Sequence, residues 1–147
     1  MNKPQVLRGH VGVVLPDREA LMRRLTRVRK HLDGTRFSFR EHDAFVEVTC
    51  PWGNRIRCYE PRSVSAGSPS AFRMWSSKCH PGPADGIPRF YRRIIATPAA
   101  VAEDEDGRHG RVSAGDAQNL VFRDKDRDPP PYDGHHIQVY VDDFSGP

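Results

Sequence analysis

The sequence predicts an α+β protein built from repeated βαβββ modules. The first observation behind this prediction is a repeat, because the segment 10–17 (HVGVVLPD) returns near the far end of the chain at 136–143 (HIQVYVDD). The second is the order of elements in the first sixty residues, which is strand, helix and three strands, and which 84–134 repeats more faintly. A short chain that repeats an opening strand in this way is typical of a modular fold.

The first module is predicted over residues 1–61. It opens with a strand at 9–16, and Asp17 then stands where a helix N-cap belongs. Apolar residues at helical spacing, with arginine and lysine between them, predict an amphipathic helix over 17–32. Alternating apolar and polar residues, separated by short turns rich in Asp, Pro, Gly and Asn, predict three antiparallel strands at 36–40, 45–50 and 55–60.

The remainder of the chain is expected to repeat this pattern incompletely. Residues 62–83 are rich in Ser, Pro and Gly and are predicted to form a connector with one candidate strand at 71–75. A second βαβββ-like module is predicted over 84–134, with a helix capped by Asp85 and short strands at 99–102, 110–114 and 118–122. Residues 135–147 are interpreted as the first strand of a further module, so the chain is expected to be a fragment or a truncated member of its family.

Composition and charge favour a soluble protein. The chain has 147 residues, of which 37% are hydrophobic and 29% charged, enough for a modest globular core. Most of the net charge of +4 comes from the segment 23–30, which is interpreted as a solvated helix face, so nucleic acid is not favoured as a partner. No apolar run approaches membrane-spanning length, and the amino terminus lacks the hydrophobic core of a signal peptide. A cytoplasmic location is therefore predicted.

The repeated histidines are the candidate functional residues. Alternation along a strand places His10 and His136 on the face opposite the apolar residues, and Gln138 and Tyr140 share the face of His136. Glu60 ends the strand that contains Ile56, and it is expected to point inward. A buried carboxylate without a partner is costly, and a cation would remove that cost. The alternative is that both histidines are ordinary surface or hydrogen-bonded residues.

Three short patterns resemble the vicinal oxygen chelate superfamily, which includes glyoxalase I, extradiol dioxygenases and bleomycin-resistance proteins. They are the His-x-x-Val strand before a capped helix, the segment 50–56 (CPWGNRI), similar to the "DP-x-GN-x-I" hairpin of the family, and the segment 89–94 (RFYRRI), similar to its "FYR-x-x-LG" helix. The likeness covers nearly the whole chain. One departure is that the strand expected near 72–79 has no histidine at its head.

The resemblance implies paired βαβββ modules whose curved mixed sheets form a cup, with the helices on the outer face. It also implies a divalent metal, Fe, Mn, Zn or Ni, held by His10, Glu60 and His136. Two imidazoles and one carboxylate leave coordination positions open, as in non-haem iron sites. Gln138 and Tyr140 are then expected to contact a small oxygenated substrate, and free sheet edges favour a homodimer.

Three functions stay open at this point. The first is a metal-dependent enzyme, either a lyase or isomerase or an extradiol-type dioxygenase, in which the metal polarises substrate oxygens. The second is a metal-free protein that binds a small molecule, as bleomycin-resistance proteins do. The third is an inactive fragment. Catalysis by a Ser-His-Asp triad has no support, because no serine lies in a nucleophile-elbow context.

Overall fold

The computed structural model describes residues 5–61, 84–104, 106–115 and 118–124, the backbone of 72–79 and of residue 83, and four single residues between 134 and 140. It confirms the α+β class and the paired βαβββ architecture. The first module contains β1 (Val11–Val14), α1 (Arg18–Arg29, followed by a 3₁₀ turn at Lys30–Leu32), β2 (Ser38–Glu41), β3 (Phe45–Thr49) and β4 (Arg55–Tyr59). The second contains β5 (Phe72–Cys79), α2 (Pro83–Ile94), β6 (Ala99–Asp104), β7 (Gly107–Gly115) and β8 (Gln118–Asp124).

The helix α1 begins at a side-chain cap. A carboxylate oxygen of Asp17 accepts a hydrogen bond from the backbone N–H of Ala20 at 2.8 Å, which satisfies one of the free amides of the first turn. Glu19 adds negative charge to that turn, and Arg27 and Arg29 lie in the last one, so both ends complement the helix dipole. The capped helix predicted from the sequence is confirmed.

The strands form one eight-stranded mixed sheet in the order β2-β3-β4-β1-β5-β8-β7-β6. Within each module the first and last strands are parallel, β1 with β4 and β5 with β8. The two modules join through an antiparallel pairing of β1 with β5, in which Gly12 lies opposite Arg73. The sheet ends at β2 and β6, and the homodimer expected from free edges stays a prediction.

Each module has its own apolar core beneath its helix. In the first, Leu25 of α1 packs with the buried side chains of the sheet, Val46, Val48 and Cys58. In the second, Val112, Leu120 and Phe122 form the buried cluster, and Ile87 and Tyr91 of α2 pack against it. Because side chains alternate along a strand, the residues between these apolar positions point to the other face of the sheet. We call that helix-free side the concave face.

The N-terminal segment links the two cores. Leu7 precedes β1, yet its side chain packs against the cluster of the second module. Its backbone N–H donates to the side-chain oxygen of Asn54, in the turn between β3 and β4, at 2.8 Å. A residue held by a turn of one module and packed against the core of the other ties the two halves together.

The segment predicted as a connector contains a full strand. A full strand, β5, occupies 72–79, where a connector with only a candidate strand was expected, and α2 starts at Pro83. Pro88 therefore lies in the helix interior and not in its first turn. The sequence indicated only a candidate strand at 71–75 because the residues of β5 do not alternate clearly between apolar and polar.

The predicted strand at 135–147 falls largely outside the described residues. His136, Gln138 and Tyr140 are described, and each is exposed and outside regular secondary structure. In the described part of the chain, neither helix has the length and apolar character needed to cross a membrane.

Candidate functional site

The concave face of the first module is polar at its centre. In β4, Ile56 and Cys58 turn toward α1, so Arg55, Arg57 and Tyr59 lie on the concave face. The same alternation in β3 places Glu47 there, directly opposite Arg57. In β1 the neighbour of Arg57 is Gly12, which has no side chain and is itself buried.

Arg57 is held by a carboxylate and an aromatic ring. Its Nε lies 3.4 Å from a carboxylate oxygen of Glu47, and both side chains are about a quarter exposed. Its guanidinium carbon lies 4.7 Å from the ring centre of Phe45, a cation–π distance. Phe45 contacts Tyr59 at 5.4 Å between ring centres and stacks on His42 at 4.6 Å. The result is an oriented guanidinium beside an aromatic wall.

His10 lies at the start of β1, in the electrostatic field of these groups. Burial, followed by the positive charges of Arg57 and Arg55, lowers the pKa of His10 from 6.5 to about 4. The carboxylate of Glu47 acts in the opposite direction but is outweighed. The imidazole is therefore neutral at physiological pH, and it can accept or donate a hydrogen bond without adding charge.

The second module places a matching group on its part of the concave face. Arg123 of β8 makes two hydrogen bonds to the carboxylate of Asp104, at 2.6 and 2.7 Å. His109 lies opposite Arg123 in the sheet and is only 6% exposed. The hydrogen bonds from Arg123 lower the pKa of Asp104 and keep it ionised. Bidentate pairing fixes the orientation of this guanidinium.

The polar groups of the two modules act on one another. Arg123 of the second module contributes to the lowered pKa of His10, and Tyr59 of the first module interacts electrostatically with Arg123. Among strands with described side chains, the arginines of the concave face outnumber its carboxylates by five to two. The arginines are Arg40, Arg55, Arg57, Arg111 and Arg123, and the carboxylates are Glu47 and Asp104. The concave face is therefore positively charged.

The structure does not bring the three sequence-predicted metal ligands together. The parallel register pairs Val11 with Ile56 and Val14 with Tyr59, so His10 lies at one end of this strand pair and Glu60 beyond the other. A separation of five residues along a strand corresponds to about 16 Å. Glu60 instead lines an open groove of about 770 Å³ beside the start of α1, together with Asp17 and Arg18.

The remaining predicted site residues lie at the surface. An imidazole nitrogen of His136, Nδ1, lies 3.2 Å from the carbonyl oxygen of Gly134, and the side chain is exposed. Tyr140 is 99% exposed, and Gln138 is also exposed. Neither residue lies on a described strand of the concave face. Their contacts with a substrate stay a prediction.

Among the described residues, the donor set of the concave face does not fit a divalent metal. Within the described ranges, no three His, Cys, Asp or Glu side chains lie close enough to share an ion. The two described carboxylates of the face, Glu47 and Asp104, are each paired with an arginine, and several guanidinium charges act on His10. A cation placed there would be repelled by the arginines and would have to displace an existing ion pair.

Sequence reasoning missed Glu47, Arg57 and Arg123 as candidate functional residues. The signal was present in the alternation of β4, where the apolar Ile56 and Cys58 are needed beneath a covering helix. Because the helix covers the apolar face of β4, the opposite face, which carries the arginines, is the one that a ligand can reach. Glu60 was expected to point inward because it shares the strand face of Ile56 and Cys58. In the structure that face is the one that α1 covers.

The lowered pKa of His10 predicts that acid destabilises the fold. An unfolded chain binds a proton at His10 as the pH falls through 6.5, whereas the folded protein resists protonation until about pH 4. Stability from this residue is thus complete above pH 6.5 and is lost across the window from 6.5 to 4. Because the imidazole is only partly buried, solvent screening reduces the expected loss to about 1 to 2 kcal/mol.

Urea unfolding of the wild type and of His10→Gln, measured at several pH values in this window, checks the prediction. The free energy of unfolding of the wild type should fall more steeply with pH than that of the variant. Equal pH dependence in the two proteins would contradict the assignment of the shift to His10. Other titrating groups contribute equally to both proteins, so the difference isolates the imidazole.

Comparison with known proteins supports the architecture. No family model and no curated protein matches this sequence. Among solved structures, a glyoxalase/bleomycin resistance protein/dioxygenase superfamily member from Vibrio splendidus 12B01 is similar, with a TM-score of 0.52 and 12% identity over 81% of this chain and 99% of that chain. A mutant glyoxalase I from Zea mays has a TM-score of 0.47 and 12% identity, over 78% of this chain and 42% of that chain. With its paired βαβββ modules and an outer helix on each, the chain thus has the fold of the glyoxalase/bleomycin resistance/dioxygenase, or vicinal oxygen chelate, superfamily.

Proposed function

We propose that this chain binds a small molecule on its concave face without a protein-bound metal, the second of the functions that the sequence leaves open. The observation that carries the proposal is the ion pair between Arg57 and Glu47 beside a neutral His10. The carboxylate that could serve a metal on this face already neutralises a guanidinium. What the face offers to a ligand is hydrogen-bond donors, aromatic surface and positive charge.

The shape and composition of the face support ligand binding. Gly12, which lies in the sheet between Arg57 and the second module, adds no side chain to this face. Tyr59 and Phe45 are partly exposed and provide an apolar wall, while guanidinium groups on either side provide directed polar contacts. Concave sites with an aromatic lining and a few oriented polar groups are typical of small-molecule recognition.

Metal content and ligand binding together test this proposal. We expect purified protein, after incubation with Fe²⁺, Mn²⁺, Zn²⁺ or Ni²⁺ and gel filtration, to carry far less than one ion per chain. The same low content is expected for His10→Ala. Small molecules that raise the melting temperature should do so equally with and without a chelator, because the binding groups are protein side chains.

The rival metal-dependent enzyme makes the opposite prediction. A stoichiometric ion that disappears in His10→Ala, together with ligand binding that a chelator abolishes, would overturn the metal-free proposal. His31→Ala is the matched control, because His31 is exposed in the turn after α1, on the side away from the concave face. His31→Ala should have the same metal content per chain as the wild type, with and without the chelator.

A further inference from the structure

We propose that the concave face selects an anion, so that its ligand is a small molecule carrying a carboxylate or a phosphate-type group, bound by the guanidinium of Arg57 in the first module. This inference rests on the proposed function and adds the charge of the ligand. The shared chemistry is a planar or tetrahedral set of oxygens that guanidinium groups bind with two parallel hydrogen bonds. It departs from the metal-chelated substrate that the family resemblance implies.

The first supporting observation is the net positive charge of the described strands on the concave face. The five arginines of the concave face exceed its two carboxylates, Glu47 and Asp104, by three charges in the described strands. Such a field inside a curved sheet is stronger than on an open surface and attracts counter-ions. A cationic ligand would meet this field unfavourably, and a neutral ligand would gain nothing from it.

The guanidinium groups of Arg57 and Arg123 differ in how tightly they are paired with carboxylates. Arg57 is oriented by Glu47 at 3.4 Å, whereas Arg123 is paired with Asp104 at 2.6 Å and also lies 3.9 Å from a carboxylate oxygen of Asp106. The pair with Glu47 is the longer and looser of the two, and only Nε of Arg57 is engaged with the carboxylate. The remaining N–H groups of Arg57 are the donors most easily turned to a ligand. Asp104 accepts two hydrogen bonds from Arg123 and so fixes the position of this positive charge.

Two aromatic rings lie beside the guanidinium that would bind the anion. The ring of Phe45 lies under the guanidinium of Arg57 at 4.7 Å, and Tyr59 lies next to Phe45. A ring attached to the acid group of a ligand would contact this aromatic wall while its oxygens reach Arg57. Aromatic pairs of this kind add to the free energy gained from burial alone. An aromatic acid is therefore the best small probe of the site.

Three aromatic probes of similar shape and different charge test the inference. Benzoate, benzamide and benzylammonium are titrated into the full chain, and binding is followed by NMR chemical shifts. Benzoate should bind at least fivefold more tightly than either of the other two, and its affinity should fall as NaCl is raised. Inorganic phosphate forms a fourth arm, and its affinity relative to that of benzoate separates a phosphate-type ligand from a carboxylate.

Two substitutions move the affinity in opposite directions. Arg57→Gln should weaken benzoate binding at least fivefold, and Arg57→Lys should restore part of it. Glu47→Gln should strengthen benzoate binding about two- to fivefold, because the internal carboxylate no longer competes for the guanidinium. Loss of folding cannot produce a gain in affinity, so this second variant keeps the test decisive. Arg24→Gln, on the exposed face of α1, is the charge-matched control and should leave affinity unchanged.

The outcomes separate this inference from the proposed function. If no probe of any charge binds, the small-molecule function itself fails. If benzamide or benzylammonium binds as tightly as benzoate, or if Glu47→Gln weakens benzoate binding, the face binds small molecules but does not select anions. If divalent metal is needed before benzoate binds, the metal-dependent rival is favoured and both statements are overturned.

Discussion

Replacement of Leu120 by alanine is expected to lower the free energy of unfolding by about 3 to 4 kcal/mol. Leu120 is 1% exposed and lies in β8, between the buried side chains of Val112 and Phe122. Truncation removes apolar contacts and leaves a cavity that neither the neighbouring strands nor α2 can collapse to fill. The loss is a large part of the 5 to 15 kcal/mol by which a typical domain is stable.

Urea unfolding followed by far-UV circular dichroism measures the effect. Val101→Ala is the matched control, because Val101 lies on the edge strand β6 with 40% of its surface exposed, and its truncation should cost less than about 0.5 kcal/mol. A cost for Leu120→Ala no larger than that of the control would show that the second module is not packed as described. Because Leu7 ties the two cores together, we expect one transition and not two.

Replacement of Gly110 by valine is expected to destabilise the protein by about 3 kcal/mol, through overpacking. A Cβ atom at this position of β7 would lie 2.8 Å from Cγ and 3.0 Å from Cδ of Pro88, and 3.2 Å from the carbonyl oxygen of Ala84. Pro88 and Ala84 are both buried in α2. The helix rests directly on the glycine, so any larger residue forces it away from the sheet.

A double-mutant cycle locates the clash. Gly110→Ala alone should cost about 2 kcal/mol, and adding Pro88→Ala, which removes the two nearest atoms, should recover part of that cost as a measurable coupling. Gly86→Ala is the control, since a Cβ at this α2 position meets nothing within 4 Å and alanine favours helix. It should be neutral or slightly stabilising. Additive effects of Gly110→Ala and Pro88→Ala would contradict the close contact.

Much of the fold was predictable because local patterns and tertiary packing agree. Asp17 caps a helix whose apolar residues recur at helical spacing, and this helix formed as predicted. The three strands that follow also formed, with bounds shifted by one or two residues. The element least clear from its own residues is β5, for which they predicted only a candidate strand at 71–75. It is a central strand, and its pairing with β1 and β8 depends on partners distant in sequence and not on its own pattern.

The candidate site was predicted less well than the fold, and His10 illustrates the reason. Its place at the head of β1 follows from strand alternation, but the groups around it come from β3, β4 and β8. Glu60 was expected to point inward because it shares the strand face of Ile56 and Cys58, but the sequence does not show which face of a strand a helix covers. The groove beside α1, where Glu60 lies, became visible only in three dimensions.

The sequence alone determined the modular order, the cap of α1 and the apolar face of each strand, because helix and strand periodicities are local properties of the chain. The tertiary structure decided which face became concave, how the parallel register separated His10 from Glu60, and which arginines gathered around His10. These facts depend on the pairing of β1 with β4 and on the contact between modules. Register and long-range charge arise from residues far apart in sequence, and local periodicity does not encode them.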